Sequence, residues 1–168
     1  MTVDGAIVSV ADFLRPLIPV GTQIVRGMVN NVPAPLPLFV NITEVGQPQY
    51  TTTRTVLDAD TDTMAFSMPK MLNLQLDFYG TEGGEACNTA VTMLRSVYIV
   101  DNFPDGVIPL YCSDATQAPL TTGEKQFETR WLCTLSLQYN SSVVVSQQSF
   151  DTVGETSVDA VDVTIPVE

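Results

Sequence analysis

The ten residues MLNLQLDFYG, 71–80, alternate without a break. Leu72, Leu74, Leu76 and Phe78 fall on one face of an extended chain, and Asn73, Gln75 and Asp77 on the other. Successive side chains of a strand point to opposite sides, so this spacing predicts a strand with a core on one side only. That is the habit of antiparallel sheets, whose second face is polar. Gly80 ends the run.

Working outward, the same period returns in EKQFETRWLCTLSLQYN, 124–140. Phe127, Trp131, Cys133, Leu135, Leu137 and Tyr139 alternate with Glu128, Arg130, Thr134, Ser136 and Gln138, and only Thr129 and Leu132 break the pattern. Shorter strands are expected in GTQIVRGMV, LFVNITEV, TTTRTVL and VIPLYCSD, bounded by glycine and proline punctuation. Between the two long strands lies EACNTAVTMLRSVYI, 85–99, where Cys87, Ala90, Val91, Leu94, Val97 and Tyr98 form one helical stripe. A second helix is expected near the N-terminus, with Ile7, Val10, Phe13, Leu14 and Leu17 at spacings of three and four. It starts either at a Ser9/Asp12 capping pair or earlier, in which case it stops before Pro16. Many strands with few helices predict an α+β fold: a mainly antiparallel sheet packed by one central amphipathic helix plus the N-terminal helix.

The chain has 168 residues, enough to bury a core without cross-links, and 45% are hydrophobic, which excludes a disordered chain. Only 15% are charged, below the roughly 25% usual for soluble domains, so obligate assembly fits better than life as a monomer. The net charge of −12 arises from 19 acids against seven bases. Those bases are scattered singly, and phosphate neutralisation needs them clustered, so no direct grip on nucleic acid is expected. Cys87, Cys112 and Cys133 form no CxxC pair and predict reduced, buried thiols made in a cytosol. No signal peptide and no run of about 20 apolar residues is read, so no membrane partner is expected.

Chemistry is sparse. The chain has no histidine, which removes Ser-His-Asp and Cys-His catalysis and the commonest metal ligand. It has no phosphate-binding glycine motif. Asp58, Asp60 and Asp62 alternate as early calcium ligands do, but Thr63 stands where such a loop needs glycine and Pro69 where it needs glutamate. An exposed acidic hairpin tip is the better reading. No enzyme, metal or cofactor is expected. Met64, Phe66 and Met68 alternate in a polar setting and are read either as core or as a hairpin that docks on a neighbour.

The segment VNNVPAPLPLFVNI, 29–42, places Pro33, Pro35 and Pro37 at every second position ahead of a strand. Proline fixes φ and lacks an N–H, so this lead-in is expected to be stiff, extended and unable to pair inside a sheet. Asn31, Val32, Pro33, Pro35, Leu36 and Pro37 are therefore candidates for subunit contact.

Taken in order, NNVPAPLPLFVNIT, LQLDFYG, ACNTAVTMLRS, IPLYCSDATQAP, GEKQFETRWLCTLSLQYN and VDVTIP resemble the phage neck terminator and tail terminator family over roughly residues 10–166. NNVPAPLPLF and GEKQFETRW are the most specific segments, and the stretch from Asp58 to Lys70 departs from the pattern. The resemblance implies a non-catalytic virion protein, assembled in the host cytoplasm, that forms a hexameric ring at the neck. Such a ring ends the tail tube, touches tube and sheath proteins, and joins the tail to connector or adaptor proteins, with DNA passing through its lumen unbound. On this reading residues 1–140 form one domain. Residues 141–168 are an acidic, strand-forming extension whose Val161, Val163 and Ile165 contact a neighbouring subunit by strand addition. Asp58, Asp60 and Asp62 are then expected to face the lumen. The alternatives are a β-rich adhesin or carbohydrate-binding module, and a head-completion ring.

Overall fold

The computed structural model of the protein describes residues 2–28, 38–49, 51–104, 106–118, 120–121 and 127–147. In chain order the elements are α1 (Val3–Leu14), β1 (Gln23–Arg26), β2 (Phe39–Gly46), β3 (Arg54–Asp58), β4 (Thr63–Tyr79), α2 (Gly83–Leu94), α3 (Tyr98–Asn102), β5 (Val107–Cys112), β6 (Thr116–Gln117), β7 (Leu120–Thr121), β8 (Phe127–Glu128) and β9 (Arg130–Ser146). A seven-stranded sheet runs β1-β2-β4-β9-β5, with β3 added beside β4 and β6 beside β9; β7 and β8 pair separately. Every pairing is antiparallel except β1 with β2. The fold is α+β.

The two long alternating segments are the spine of this sheet. β4 and β9 pair in unbroken register from Thr63↔Ser146 to Tyr79↔Arg130. A single register places Leu72, Leu74, Leu76 and Phe78 on the same face as their partners Leu137, Leu135, Cys133 and Trp131. Val40 and Ile42 of β2 complete that face, and α1 and α2 cover it with Val10, Leu14, Cys87, Ala90 and Leu94, all buried in one cluster. Fully burying such a side chain contributes roughly 1.5–3 kcal/mol, so this layer is a large favourable contribution to folding.

α1 begins at Thr2, whose Oγ1 accepts the Gly5 N–H at 3.1 Å, and ends before Pro16. Of the two expected starts the earlier one is realised, and Ser9 instead donates its hydroxyl to the Gly5 carbonyl. α2 is shorter than the 85–99 stripe. The Ser96 hydroxyl donates to the Met93 carbonyl at 2.8 Å and accepts the Tyr98 N–H, competing with the helical ladder where it would continue. Val97 and Tyr98 leave the stripe as a result and lie exposed.

The N-terminus of α2 comes so close to β4 that a Cβ on Gly83 would stand 2.8 Å from the Phe78 carbonyl oxygen. Only glycine fits there. Gly80, at φ +99°, makes the preceding turn.

β1 and β2 are parallel neighbours, the one parallel pairing in the described sheet.

Candidate assembly interface

The spine is longer than its helical cover. Helix-covered core residues begin at Leu72 on β4 and end at Tyr139 on β9. Beyond them, Thr63–Met71 of β4 is half-buried and Asn140–Ser146 of β9 is largely exposed. β3 flanks β4 there, exposed along its length, from Arg54↔Ser67 to Asp58↔Thr63. The result is a three-stranded arm, β3–β4–β9, continuous with the main sheet.

Register fixes what each face of the arm carries. On the face shared with the core lie Leu57, Met64 and Val145, followed by Phe66 and Val143. On the reverse face Val56, Ala65 and Val144 stand in a row. Val143, Val144 and Val145 are 57%, 61% and 41% exposed, and Val56 and Leu57 are 43% and 50% exposed. The row of Val56, Ala65 and Val144 lies between Asp58, Thr63 and Ser146 on one side and Arg54, Ser67 and Ser142 on the other, so the arm has one apolar face and a single apolar row behind it, all without helical cover.

Met64, Phe66 and Met68 lie together on one face of β4, half-buried. Residues 54–79 form the hairpin, and its second strand runs straight on into Leu72, a continuity the sequence reading did not include. Period-two alternation never stops there. Pro69 and Lys70 disguise it, yet Pro69 is tolerated because β3 has already ended beside it, and Thr51 Oγ1 donates to its carbonyl at 3.2 Å. The Val143–Val145 run is the part sequence reasoning missed. Three successive apolar residues show no alternation, because Val144 adds an apolar row behind a face that is already apolar. In the structure 141–146 continue β9, while Val161, Val163 and Ile165 lie outside the described residues, as do Asn31, Val32, Pro33, Pro35, Leu36 and Pro37.

Asp58, Asp60 and Asp62 gather at the arm's tip. Asp58 Oδ1 accepts the Asp60 N–H at 3.1 Å, an Asx turn, and Asp62 takes a left-handed φ of 48°. The Asp62 carbonyl accepts the Gln147 N–H at 2.8 Å, which ties the tip to the end of β9. The tip is an exposed acidic loop with its backbone fixed.

Elsewhere the chemistry is structural. Cys87, Cys112 and Cys133 are free and buried. Hydrogen bonding to Cys112 and Cys87, with burial, pushes the Cys133 thiol up, so it stays protonated. A groove of about 670 Å³ along α2, between Asn88, Thr92 and Trp131, contains Glu85 as its one carboxylate. A general acid–base pair has no place there.

A search of curated proteins found no match. Among solved structures, the sheath/tube terminator of an extracellular contractile injection system, PVC, in its extended state, is similar in fold, with a TM-score of 0.53 at 9% identity. The alignment covers 98% of this chain but spans only 66% of the length of that terminator. The sequence model of the phage neck terminator protein matches residues 7–166, nearly the whole chain, and with it the spine, both packed helices and the arm. The chain belongs to the phage neck terminator family, structural proteins of the virion tail rather than enzymes.

Proposed function

We propose that this protein assembles as a homo-oligomeric ring, of six copies, at the phage neck, where it closes the tail tube and joins the tail to the head connector. Membership of the neck terminator family supports the tail-terminating role. The observation that carries the ring is the arm, whose valines and leucine are exposed on both faces and need cover from another molecule. A ring of identical copies requires heterologous contacts, one patch of each copy meeting a different patch of the next, and then closing. The chain's 15% charged residues fit a subunit with two lateral interfaces. Tube and sheath proteins on one side and connector proteins on the other are the remaining partners in this reading.

In such a ring Asp58, Asp60 and Asp62 border the lumen. A wall that repels phosphate lets DNA pass without attractive contacts that would retard it. The segments around Pro33–Pro37 and Val161–Ile165 are further lateral contacts in the same reading. They supply a stiff non-pairing edge and a strand donated to the neighbour.

The test is tube capping. Purified protein added to tail tubes growing from the phage's own tube protein should stop elongation and appear at one end of each tube in negative-stain images. Continued growth with no density at either end overturns the proposal.

A further inference from the structure

The ring reading does not say how the arm of one copy meets the next, and the arm's backbone bears on that. Antiparallel partners alternate between pairs that exchange hydrogen bonds and pairs whose N–H and C=O groups point away. Gln147 N–H bonds the Asp62 carbonyl, so 62 and 147 are a bonded pair; in the unbroken register, 64/145, 66/143 and 68/141 are bonded too. Even-numbered residues of β9 must then turn their backbone groups to the other side. The main sheet confirms the phase: the Thr134 carbonyl accepts from Ser113 and the Arg130 carbonyl from Ala118, both across that outer edge. On β4, Met71 N–H donates to the Pro48 carbonyl, so odd residues of β4 face β2 and β3. Arg54, Val56 and Asp58 are accordingly the β3 residues that bond β4, and Thr55 and Leu57 face outward.

Two free edges follow. Ser142 and Val144 present N–H and C=O groups on one side of the arm, Thr55 and Leu57 on the other. Among the described residues no strand pairs with either. The edges of the main sheet are guarded in the usual ways: β5 carries Pro109 and a register shift between Pro109 and Tyr111, while β1 and β6 are only four and two residues long. The 140–146 edge has no proline, no charge and no bulge, and it displays three exposed valines. Among the described residues these two edges are open beside guarded ones, which makes them the candidates for pairing.

We infer that the β9 edge at Ser142 and Val144 of one copy pairs with the β3 edge at Thr55 and Leu57 of a second copy, so that the arms join into one continuous sheet around the ring. This rests on the ring reading above. The second copy is favoured over an unrelated strand because one arm bears both edges, on opposite sides, which is what a heterologous, repeating contact demands. Polarity agrees: β3 and β9 are each antiparallel to β4 and hence parallel to one another, so rotation about an axis along the arm brings them together as a parallel pair every time. Neither outward position is charged, and Val144 and Leu57 extend the apolar rows across the junction.

The phase of the hydrogen bonds makes a clean experiment possible. Val144→Pro and Leu57→Pro each delete an outward N–H while leaving the bonds to β4 in place, whereas Val143→Pro breaks the β4 ladder and serves as the misfolding control. Light scattering with circular dichroism is the readout. The expected result is wild-type rings, with both outward variants folded and reduced to monomer mass. Rings that persist in Val144→Pro and Leu57→Pro overturn the edge pairing and leave the ring reading standing; a wild type that stays monomeric overturns both. Should a proline variant fail to fold, amide exchange on the wild type decides. Leu57 and Val144 amides are protected in rings and exchange in dissociated protein if the edges pair. Equal exchange in both states overturns the pairing.

Discussion

Arg130, near the start of β9, closes on Asp77, near the end of β4, with Nη2 at 2.9 Å and Nε at 3.2 Å from the same carboxylate oxygen. Asp77 is only 2% exposed, and Gln75 Nε2 supplies further hydrogen bonds to both its oxygens. The pair therefore clamps the two strands of the spine on the polar face, opposite the helix-covered core. Removing Arg130 leaves a buried carboxylate with Gln75 alone, which costs about 3 kcal/mol. Asp77→Asn keeps a hydrogen-bonding group of the same shape, and Arg130 can turn to water, so the loss there is nearer 1.5 kcal/mol. Urea unfolding of Arg130→Met and Asp77→Asn should show that order; equal midpoints would mean the clamp contributes little.

Gly83 and Gly84 make a matched pair of tests for how α2 docks. A Cβ at 83 meets the Phe78 backbone oxygen, which cannot move without disturbing the spine; at 84 it meets Trp131 Nε1 at 2.9 Å, on a side chain lining an open groove. Gly83→Ala should cost about 1–3 kcal/mol and Gly84→Ala distinctly less. Thermal melts of the two variants compare them directly.

The fold was legible wherever one face of an element is buried and the other is wet. Leu72–Phe78, Cys133–Tyr139 and the Cys87–Leu94 stripe all satisfy that condition, and each reads correctly. Legibility fails where a local competitor or a second apolar row enters. Ser96 cuts α2 through its hydroxyl, an event the periodicity of Val97 and Tyr98 cannot report. Val143–Val145 loses alternation because Val144 adds an apolar row behind a face that is already apolar, and Pro69–Lys70 hides the continuity of β4. Acids at 58, 60 and 62 read correctly as a hairpin tip, whereas the role of that hairpin as one edge of an arm needed the register.

Two tyrosines link stability to alkaline pH. Burial, reinforced by the Asp77 carboxylate, raises the Tyr79 pKa above 10.0, and burial with Glu44 nearby does the same for Tyr139, whose hydroxyl donates to Gln47 Oε1 at 2.6 Å. A raised folded-state pKa means the native protein holds its proton longer than the unfolded chain. The contribution is complete below the ordinary tyrosine value of about 10 and is lost as pH climbs through the folded one. Stability should therefore fall above pH ~10, and Tyr79→Phe should flatten that fall. Unfolding midpoints at stepped alkaline pH measure it, and an unchanged slope in the variant removes Tyr79 from the explanation.

The buried thiols report on core integrity. Cys87 on α2, Cys112 on β5 and Cys133 on β9 join three elements under the helical cover. A thiolate is needed for reaction, and burial with hydrogen bonding keeps Cys133 protonated. Native protein should react with an aromatic disulfide reagent only as fast as it opens, and denatured protein should release all three equivalents promptly. Rapid native labelling would show that α2 lifts from the sheet far more easily than its packing implies.

The faces of the arm can be separated from its tip. Phe66 and Met64 share the face carrying Val143 and Val145, where apolar area is available to a neighbour but no helix covers it. Truncating a half-buried aromatic at an interface typically costs 1–3 kcal/mol of association, which is about 5- to 150-fold in the dissociation constant. Phe66→Ser should weaken self-association within that range while far-ultraviolet circular dichroism stays native. The spine from Leu72 onward does not depend on it. Asp58→Asn with Asp60→Asn and Asp62→Asn should do the reverse. Asn suits both the Asx turn at 58 and the left-handed backbone at 62, so fold and assembly persist. What changes is the charge at the tip, three negative charges fewer in each copy. If those acids border the lumen, rings of the triple variant should retain duplex DNA at low salt and release it as salt rises, and wild-type rings should not retain it. Equal, negligible retention by both rings would place the tip away from the DNA path and leave the acids to solubility alone.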